Sequence, residues 1–287
     1  MKKKVLVLGS SGLIGHQVFN YLKFNSDFEL SNISYRNKLN KDSVLIDARN
    51  EAVFFNHIKK IKPNFLINCI GVLVDEAELN PEYAIYLNSY LPHRLEKLSS
   101  EISAKLIHMS TDCVFSGTKS SPYIESDLKD GISVYAKTKS LGEINNNSHL
   151  TIRTSVVGPE LNFRKEELFN WFMSNTKEVS GFSKSIWSGV STFELAKAVK
   201  WFINNNVSGV YNLTNGESIS KYDLLLLFKS HTNKVIKINK VDGTNSNKSF
   251  VDTRKLIGYK LPSYNQMIKE MIAEIDNNPL LYKHYNF

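Results

Sequence analysis

The sequence of 287 residues predicts an α/β fold, a doubly wound parallel sheet with a smaller C-terminal cap. Three observations predict it. Short, nearly all-apolar, β-branched runs alternate with helical periodicity through the first half. A glycine-rich turn joins the first run to the first helix, and the alternation stops near residue 158. Strand–helix alternation of this kind implies βαβ units and a parallel sheet. Strands that are apolar throughout are those covered on both faces.

Taken in order, strands are expected at Lys4–Leu8, Glu29–Tyr35, Ser43–Ile46, Phe65–Ile70, Lys105–Met109 and Leu150–Thr154. Helices are expected at Gly12–Asn25, Glu51–Ile61, Pro81–Ser100 and Tyr135–Ile144. Beyond residue 158 the loops lengthen and aromatics gather in Phe163–Phe182. A helix at Thr192–Asn204 and a strand at Gly209–Leu213 follow. The tail from Ser218 to Phe287 reads as mostly helical, with a polar loop at Asp242–Lys248. The expected division is a nucleotide-binding domain over residues 1–158, to which 185–215 return, and a mainly substrate-binding cap over 159–287.

Composition narrows the function. No apolar run approaches the ~20 residues of a membrane helix. The stretch after Lys2–Lys4 is too short for a signal-peptide core and reads as a buried strand, so a cytoplasmic location is expected. Two cysteines, Cys69 and Cys113, cannot build a disulfide framework or a four-cysteine zinc site. No histidine pair has metal-ligand spacing, and no metal is expected. The net charge of +8 suits anionic partners. The lysines are spread without an aromatic-rich basic motif, so nucleic acid and membrane are not expected partners. The charge reads as a solvated surface, or as a cleft for diphosphate-bearing small molecules.

Gly9-Ser10-Ser11-Gly12-Leu13-Ile14-Gly15 lies between the first strand and the first helix. Glycines permit the tight turn and let backbone N–H groups approach a pyrophosphate, which the positive helix end attracts. Gly9, Ser11, Gly12, Leu13, Ile14 and Gly15 are therefore candidates for a dinucleotide, in the Rossmann manner. An NAD site normally has a carboxylate at the end of the second strand. Here that segment is Ser34-Tyr35-Arg36-Asn37-Lys38. Arg36 and Lys38 suit a 2′-phosphate, so NADPH is expected, with NADH as the alternative. Both cations also fit a solvated loop. Asp47, with Ala48 after it, ends the third strand and suits either the adenine amino group or a helix N-cap.

Tyr135 and Lys139 are four apart and share a helix face. A tyrosine exchanging a proton with a carbonyl needs its pKa brought down from about 10, and a neighbouring ammonium does that. Upstream, Thr111 stands at a strand end, where an open α/β sheet places its ligands.

With Gly9–Gly15, Asn68-Cys69-Ile70-Gly71, Ser110–Gly117, Pro122–Asp127, Tyr135–Lys139 with Gly142-Glu143, and Ile152-Arg153-Thr154-Ser155, the sequence resembles the extended short-chain dehydrogenases/reductases, and within them the dTDP-4-dehydrorhamnose reductase family. The resemblance is specific over residues 4–158 and loose beyond. It implies a catalytic triad of Thr111, Tyr135 and Lys139, with Lys139 also on the nicotinamide ribose. It implies Cys69, Ile70 and Gly71 at the cofactor, and a nucleotide-linked 4-keto-6-deoxy sugar as substrate. Val72, Asp112, Cys113, Val114 and Arg153 are expected around that substrate, in a protein serving cell-surface polysaccharide synthesis. Trp187 is expected to stack on the base and Lys184 to meet a phosphate. The bland alternative makes these aromatics the core of the cap. An aromatic is usual where Cys113 stands, and Val156-Val157-Gly158-Pro159 and Gly181–Gly189 also depart from the family wording. Those departures bear on the sugar and the nucleotide. A 4-epimerase, a non-catalytic NADP-binding subunit and a homodimer remain open. A 4,6-dehydratase is disfavoured because Cys113 follows Asp112 where that class carries a glutamate.

Overall fold

The computed structural model describes residues 2–161, 167–254 and 258–285. Seven strands form its central sheet: β1 (Lys4–Leu8), β2 (Glu29–Ser34), β3 (Val44–Leu45), β4 (Phe65–Asn68), β5 (Lys105–Ser110), β6 (Leu150–Arg153) and β7 (Gly209–Asn212). Their spatial order is β7-β6-β5-β4-β1-β2-β3, and every pairing is parallel. The chain therefore runs outward in both directions from β1 and β4. Their carboxyl ends flank the crevice where such sheets place ligands.

Two apolar layers cover the sheet, as the unbroken apolar strands require. One joins Val5 and Val7 of β1 to Val18 and Leu22 of helix α1 (Leu13–Asn25). The other joins Leu6 and Leu8 to Phe54 and Ile58 of α2 (Glu51–Ile61) and to Leu91 and Leu95. The predicted helix from Pro81 is present, but it is interrupted. Pro81–Ala84 and Leu91–Glu101 are α-helical, and Ile85–Tyr90 between them is a π-turn. One extra residue per turn shifts the following side chains around the axis. Helix α3 (Val134–Leu141) begins at Ser133, whose Oγ accepts the Ala136 N–H at 3.1 Å.

Helix α4 (Thr192–Asn205), capped by Ser191, returns the chain to the sheet and packs on α1. Outside the sheet, Glu178–Phe182 pairs in parallel with Lys237–Val241. Ser185–Trp187 pairs with Ile219–Ser220 and with Ser246–Asn247. The tail is thus less helical than its sequence suggests, and the predicted polar loop holds the strand Ser246–Asn247. Partners far away in sequence satisfy these backbones, so local periodicity carries no sign of them. Helices α5 (Lys221–His231) and α6 (Tyr264–Asp276) complete the second half. The chain end returns to α1, where the Tyr282 hydroxyl meets His16 Nε2 at 3.0 Å and the Gln17 amide.

Candidate active site

The glycine turn is built as its residue types demand. Gly9 has φ +74°, which L side chains rarely adopt. A Cβ on Gly15 would lie 2.2 Å from the Gly9 carbonyl oxygen, so only glycine lets α1 start so close to β1. Ser10 holds the turn from beneath, its Oγ 2.7 Å from both Asn32 Oδ1 and Ser34 Oγ. Gly12 provides the N-cap without any side-chain hydrogen bond, and the first turn of α1 has no acidic residue. Its leading N–H groups have no intrahelical partner. Ser11, Leu13 and Ile14 stand half-buried around them. The residues present therefore fit a dinucleotide diphosphate.

The adenosine end has a feature that the sequence reading missed. Arg49 is held by Asp47, with Nη2 2.6 Å and Nε 2.9 Å from Oδ2. Its Nη2 also donates to the Tyr35 hydroxyl at 3.1 Å, and its guanidinium lies 5.1 Å from the Tyr83 ring centroid. Arg36 stacks on the other residue of this group, 4.9 Å from the Tyr35 centroid. The Arg49 hydrogen bond holds the Asp47 carboxyl below its usual range. Asp47 is thus committed to Arg49 and makes no side-chain cap of α2, a role taken by Asn50. Ala48 is buried, its carbonyl accepting from the Tyr86 hydroxyl. Lys38 is exposed. The signal available in the sequence was a third cation, two residues past Asp47. Arg49→Ala is expected to weaken NADPH roughly tenfold and NADH much less. Equal losses for the two cofactors in a fluorescence titration would remove Arg49 from phosphate recognition.

At the strand ends, Thr111 directly follows β5. Its Oγ1 accepts the Cys113 N–H at 3.1 Å and donates to Asp112 Oδ1 at 3.2 Å. Tyr135 lies in the first turn of α3 and Lys139 one turn on. The Thr111 side chain stands close enough to the Tyr135 phenol to favour its ionised form. Crowding by protein pushes the phenol above its usual range. Cys113, Asp112 and Glu167 act in the same direction, and Thr111 acts against them. Lys139, expected from the sequence to lower this pKa, is not among those groups. Lys139 Nζ donates to the Met109 carbonyl at 2.6 Å. Burial lowers its own pKa to about 8, with Glu143 and Cys69 opposing.

Asn88, in the π-turn, is a second missed residue. Its amide spans the Val72 backbone, accepting from N–H at 3.0 Å and donating to C=O at 3.2 Å, and it also reaches Thr138 Oγ1. A Cβ on Gly71 would lie 3.0 Å from Asn88 Oδ1 and 4.0 Å from Lys139 Nζ, so Gly71 closes tightly over both. Cys69 and Ile70 lead into this corner half-buried, and the burial of the Cys69 thiol pushes its pKa up to about 12.

The expected substrate residues divide. Thr111, Asp112, Cys113, Tyr135 and Lys139 come together, and Val72 stands beside them. Val114 is fully buried with Phe115, Tyr123 and Phe250, so its side chain offers no contact surface. Arg153 is likewise turned inward. Its Nε and Nη2 each lie 2.7 Å from a Glu143 carboxylate oxygen, and its guanidinium covers the Phe115 ring. Trp187 is 5% exposed and packs on Tyr264. That places it in the core, as the alternation of Ser185–Trp187 requires. Lys184 pairs with Asp242 at 2.7 Å on the exposed edge of the cap. The front of the Phe163–Phe182 stretch, through residue 166, lies outside the described residues.

Among the described residues no cluster of three or more His, Cys, Asp or Glu is placed to hold a metal ion. Nor is any helix among them long and apolar enough to cross a membrane. The parallel sheet, the glycine turn and a threonine, tyrosine and lysine at one sheet edge define an extended short-chain dehydrogenase/reductase. Within that class the chain belongs to the family described as the RmlD substrate binding domain, which it matches over residues 2–277. It is similar to the dTDP-4-dehydrorhamnose reductase of Salmonella typhimurium, 31% identical over 59% of this chain. The match spans 60% of that relative's length. It is also similar to methionine adenosyltransferase 2 subunit beta of Xenopus laevis, 27% identical over 77% of this chain and 70% of that one. Among solved structures, a dTDP-4-dehydrorhamnose reductase from Bacillus anthracis in complex with NADP superposes with a TM-score of 0.82. It is 22% identical, over 96% of this chain and 100% of that one.

Proposed function

We propose that the protein uses NADPH to reduce the 4-keto group of a nucleotide-linked 6-deoxy sugar, in the synthesis of cell-surface polysaccharide precursors. The observation that carries the reading is the hydroxyl pair of Thr111 and Tyr135 at the sheet edge, beside a glycine turn that fits a diphosphate. When bound, the cofactor supplies the hydride. Gly9, Gly12 and Gly15 hold its diphosphate through backbone N–H groups, and Arg36 and Arg49 flank its adenosine end. Lys139, held by the Met109 carbonyl, binds and orients from below. As negative charge develops on the sugar oxygen, Thr111 hydrogen-bonds it and Tyr135 donates its proton. The phenol is protonated at neutral pH, the state that reduction needs.

One comparison favours a second reading, a non-catalytic subunit: the likeness to methionine adenosyltransferase 2 subunit beta of Xenopus laevis, which covers 77% of this chain. NADPH absorbance with dTDP-4-dehydrorhamnose and its UDP counterpart separates the possibilities. A reductase consumes one NADPH per 4-keto sugar reduced, a 4-epimerase instead inverts C4 of the corresponding 4-hydroxy nucleotide sugar with no net NADPH consumed, and a binding subunit leaves all of them unchanged. Stoichiometric consumption is the expected result.

A further inference from the structure

Lys248 enters the site from the cap. The segment that carries it is fixed at several points. The Asn247 N–H donates to the Gly117 carbonyl at 2.8 Å, and the Lys248 N–H to that of Ile186 at 3.4 Å. The Ser249 carbonyl accepts from the Tyr123 N–H at 2.8 Å, and the Phe250 N–H donates to Ser188 Oγ at 2.9 Å. This strand therefore ties the catalytic loop to the cap. The side chain of Lys248 runs past Gly117, where a Cβ would come within 3.0 Å of Lys248 Cγ. It ends with Nζ 3.6 Å from Cys113 Sγ.

That ammonium is poorly served. A thiol is a weak acceptor. Burial pushes the Cys113 thiol up to about 11, with Asp112 adding and Lys248 opposing, so no thiolate neutralises the charge. Among the described residues no carboxylate forms an ion pair with Lys248, although Lys184 and Lys129 each have one and Lys197 has two. The side chain is half-buried, and a ligand oxygen at this place would complete the hydrogen bonding of its three donors. Cys113 is two residues from Thr111, and it is among the groups that act on the Tyr135 phenol. A sugar whose carbonyl sits on Thr111 and Tyr135 must bring neighbouring ring substituents toward Cys113. The diphosphate hangs from the anomeric carbon, across the ring from the 4-position.

We propose that Lys248 is a specificity residue, its ammonium donating to an oxygen on the sugar ring next to the reacting carbonyl. The proposal rests on the nucleotide-sugar ketoreductase reading. It makes the residue that follows the cap strand Ser246–Asn247 the one that reads the sugar.

The test uses Lys248→Met, which keeps the apolar stem and removes the donor. Binding of dTDP and of dTDP-4-dehydrorhamnose is measured by calorimetry, beside KM, kcat, an NADPH titration and a melting curve. A charge-assisted bond predicts that the sugar nucleotide weakens roughly tenfold or more. Affinity for dTDP and NADPH should hold, and KM should rise more than kcat falls. Lys248→Gln, read in the same titrations, should lose less and on the sugar nucleotide alone, which keeps the test in force if the methionine variant misfolds. Equal losses for dTDP and the sugar nucleotide would assign the ammonium to the diphosphate and overturn the proposal. No loss for either would overturn it as well. Wild-type protein that binds neither nucleotide would instead remove the ketoreductase reading itself.

Discussion

Tyr135→Phe should lower kcat by about 10²–10⁴-fold, the usual cost of losing general acid catalysis, or roughly 3–5 kcal/mol of barrier. The substitution keeps ring volume and the packing of Tyr135 against the layer under α2. It removes the hydroxyl that would donate the proton. NADPH affinity should change little, because the glycine turn and Lys139 remain. The melting temperature should also hold, because the half-buried hydroxyl adds little to stability. The measurement is turnover by NADPH absorbance, with a cofactor titration and a melting curve alongside. Near wild-type turnover would take Tyr135 out of the chemistry.

Arg153→Ala should destabilise the fold by about 3–5 kcal/mol, the range for breaking one side of a buried ion pair. Glu143 is buried and takes two bonds from Arg153, one from Ser110 Oγ at 2.6 Å, and Lys129 Nζ at 3.1 Å. Burial alone would raise its pKa, but Arg153, Lys129 and Ser110 outweigh this and hold the carboxyl below the usual range. The sign follows. This stability is present above the ordinary glutamate pKa of about 4.3 and is lost as pH falls through the lowered folded value. Through Ser110, the same pair ties the end of β5 to the segment after α3, so it also sets Thr111 against Tyr135. Denaturant unfolding at neutral and acid pH measures the effect. A variant with normal stability and only a raised KM would return Arg153 to the substrate, as its sequence position suggests.

Arg153 shows where sequence reading stopped. The strands, the glycine turn and the four-residue spacing of Tyr135 and Lys139 are local patterns, and local patterns are legible. Strand ends differ from the sequence reading by a residue or two, and the pairing register carries Thr111 to the crevice edge regardless. What decides whether Arg153 faces ligand or core is Glu143 across a strand–helix junction, and sequence spacing does not reveal that contact. The π-turn at Ile85–Tyr90 was hidden for a related reason. Its apolar periodicity is helical, and only packing against Gly142, where a Cβ would lie 1.9 Å from the Asn88 carbonyl oxygen, exposes the shift. Arg49 was visible as a cation but not as a partner of Asp47 and Tyr35. The strands of the cap, including the one just before Lys248, take their hydrogen bonds from partners far along the chain.

The central claim is that hydride passes from NADPH to the sugar while this chain's hydroxyls handle the oxygen. The most direct measurement incubates the protein with dTDP-4-dehydrorhamnose and NADPH deuterated at the transferable position, and then examines the product by mass spectrometry and NMR. The account predicts one deuterium at C4 of the sugar for each NADPH oxidised. NADPH oxidised with no deuterium appearing at C4, or cofactor and sugar bound and returned unchanged, would contradict it.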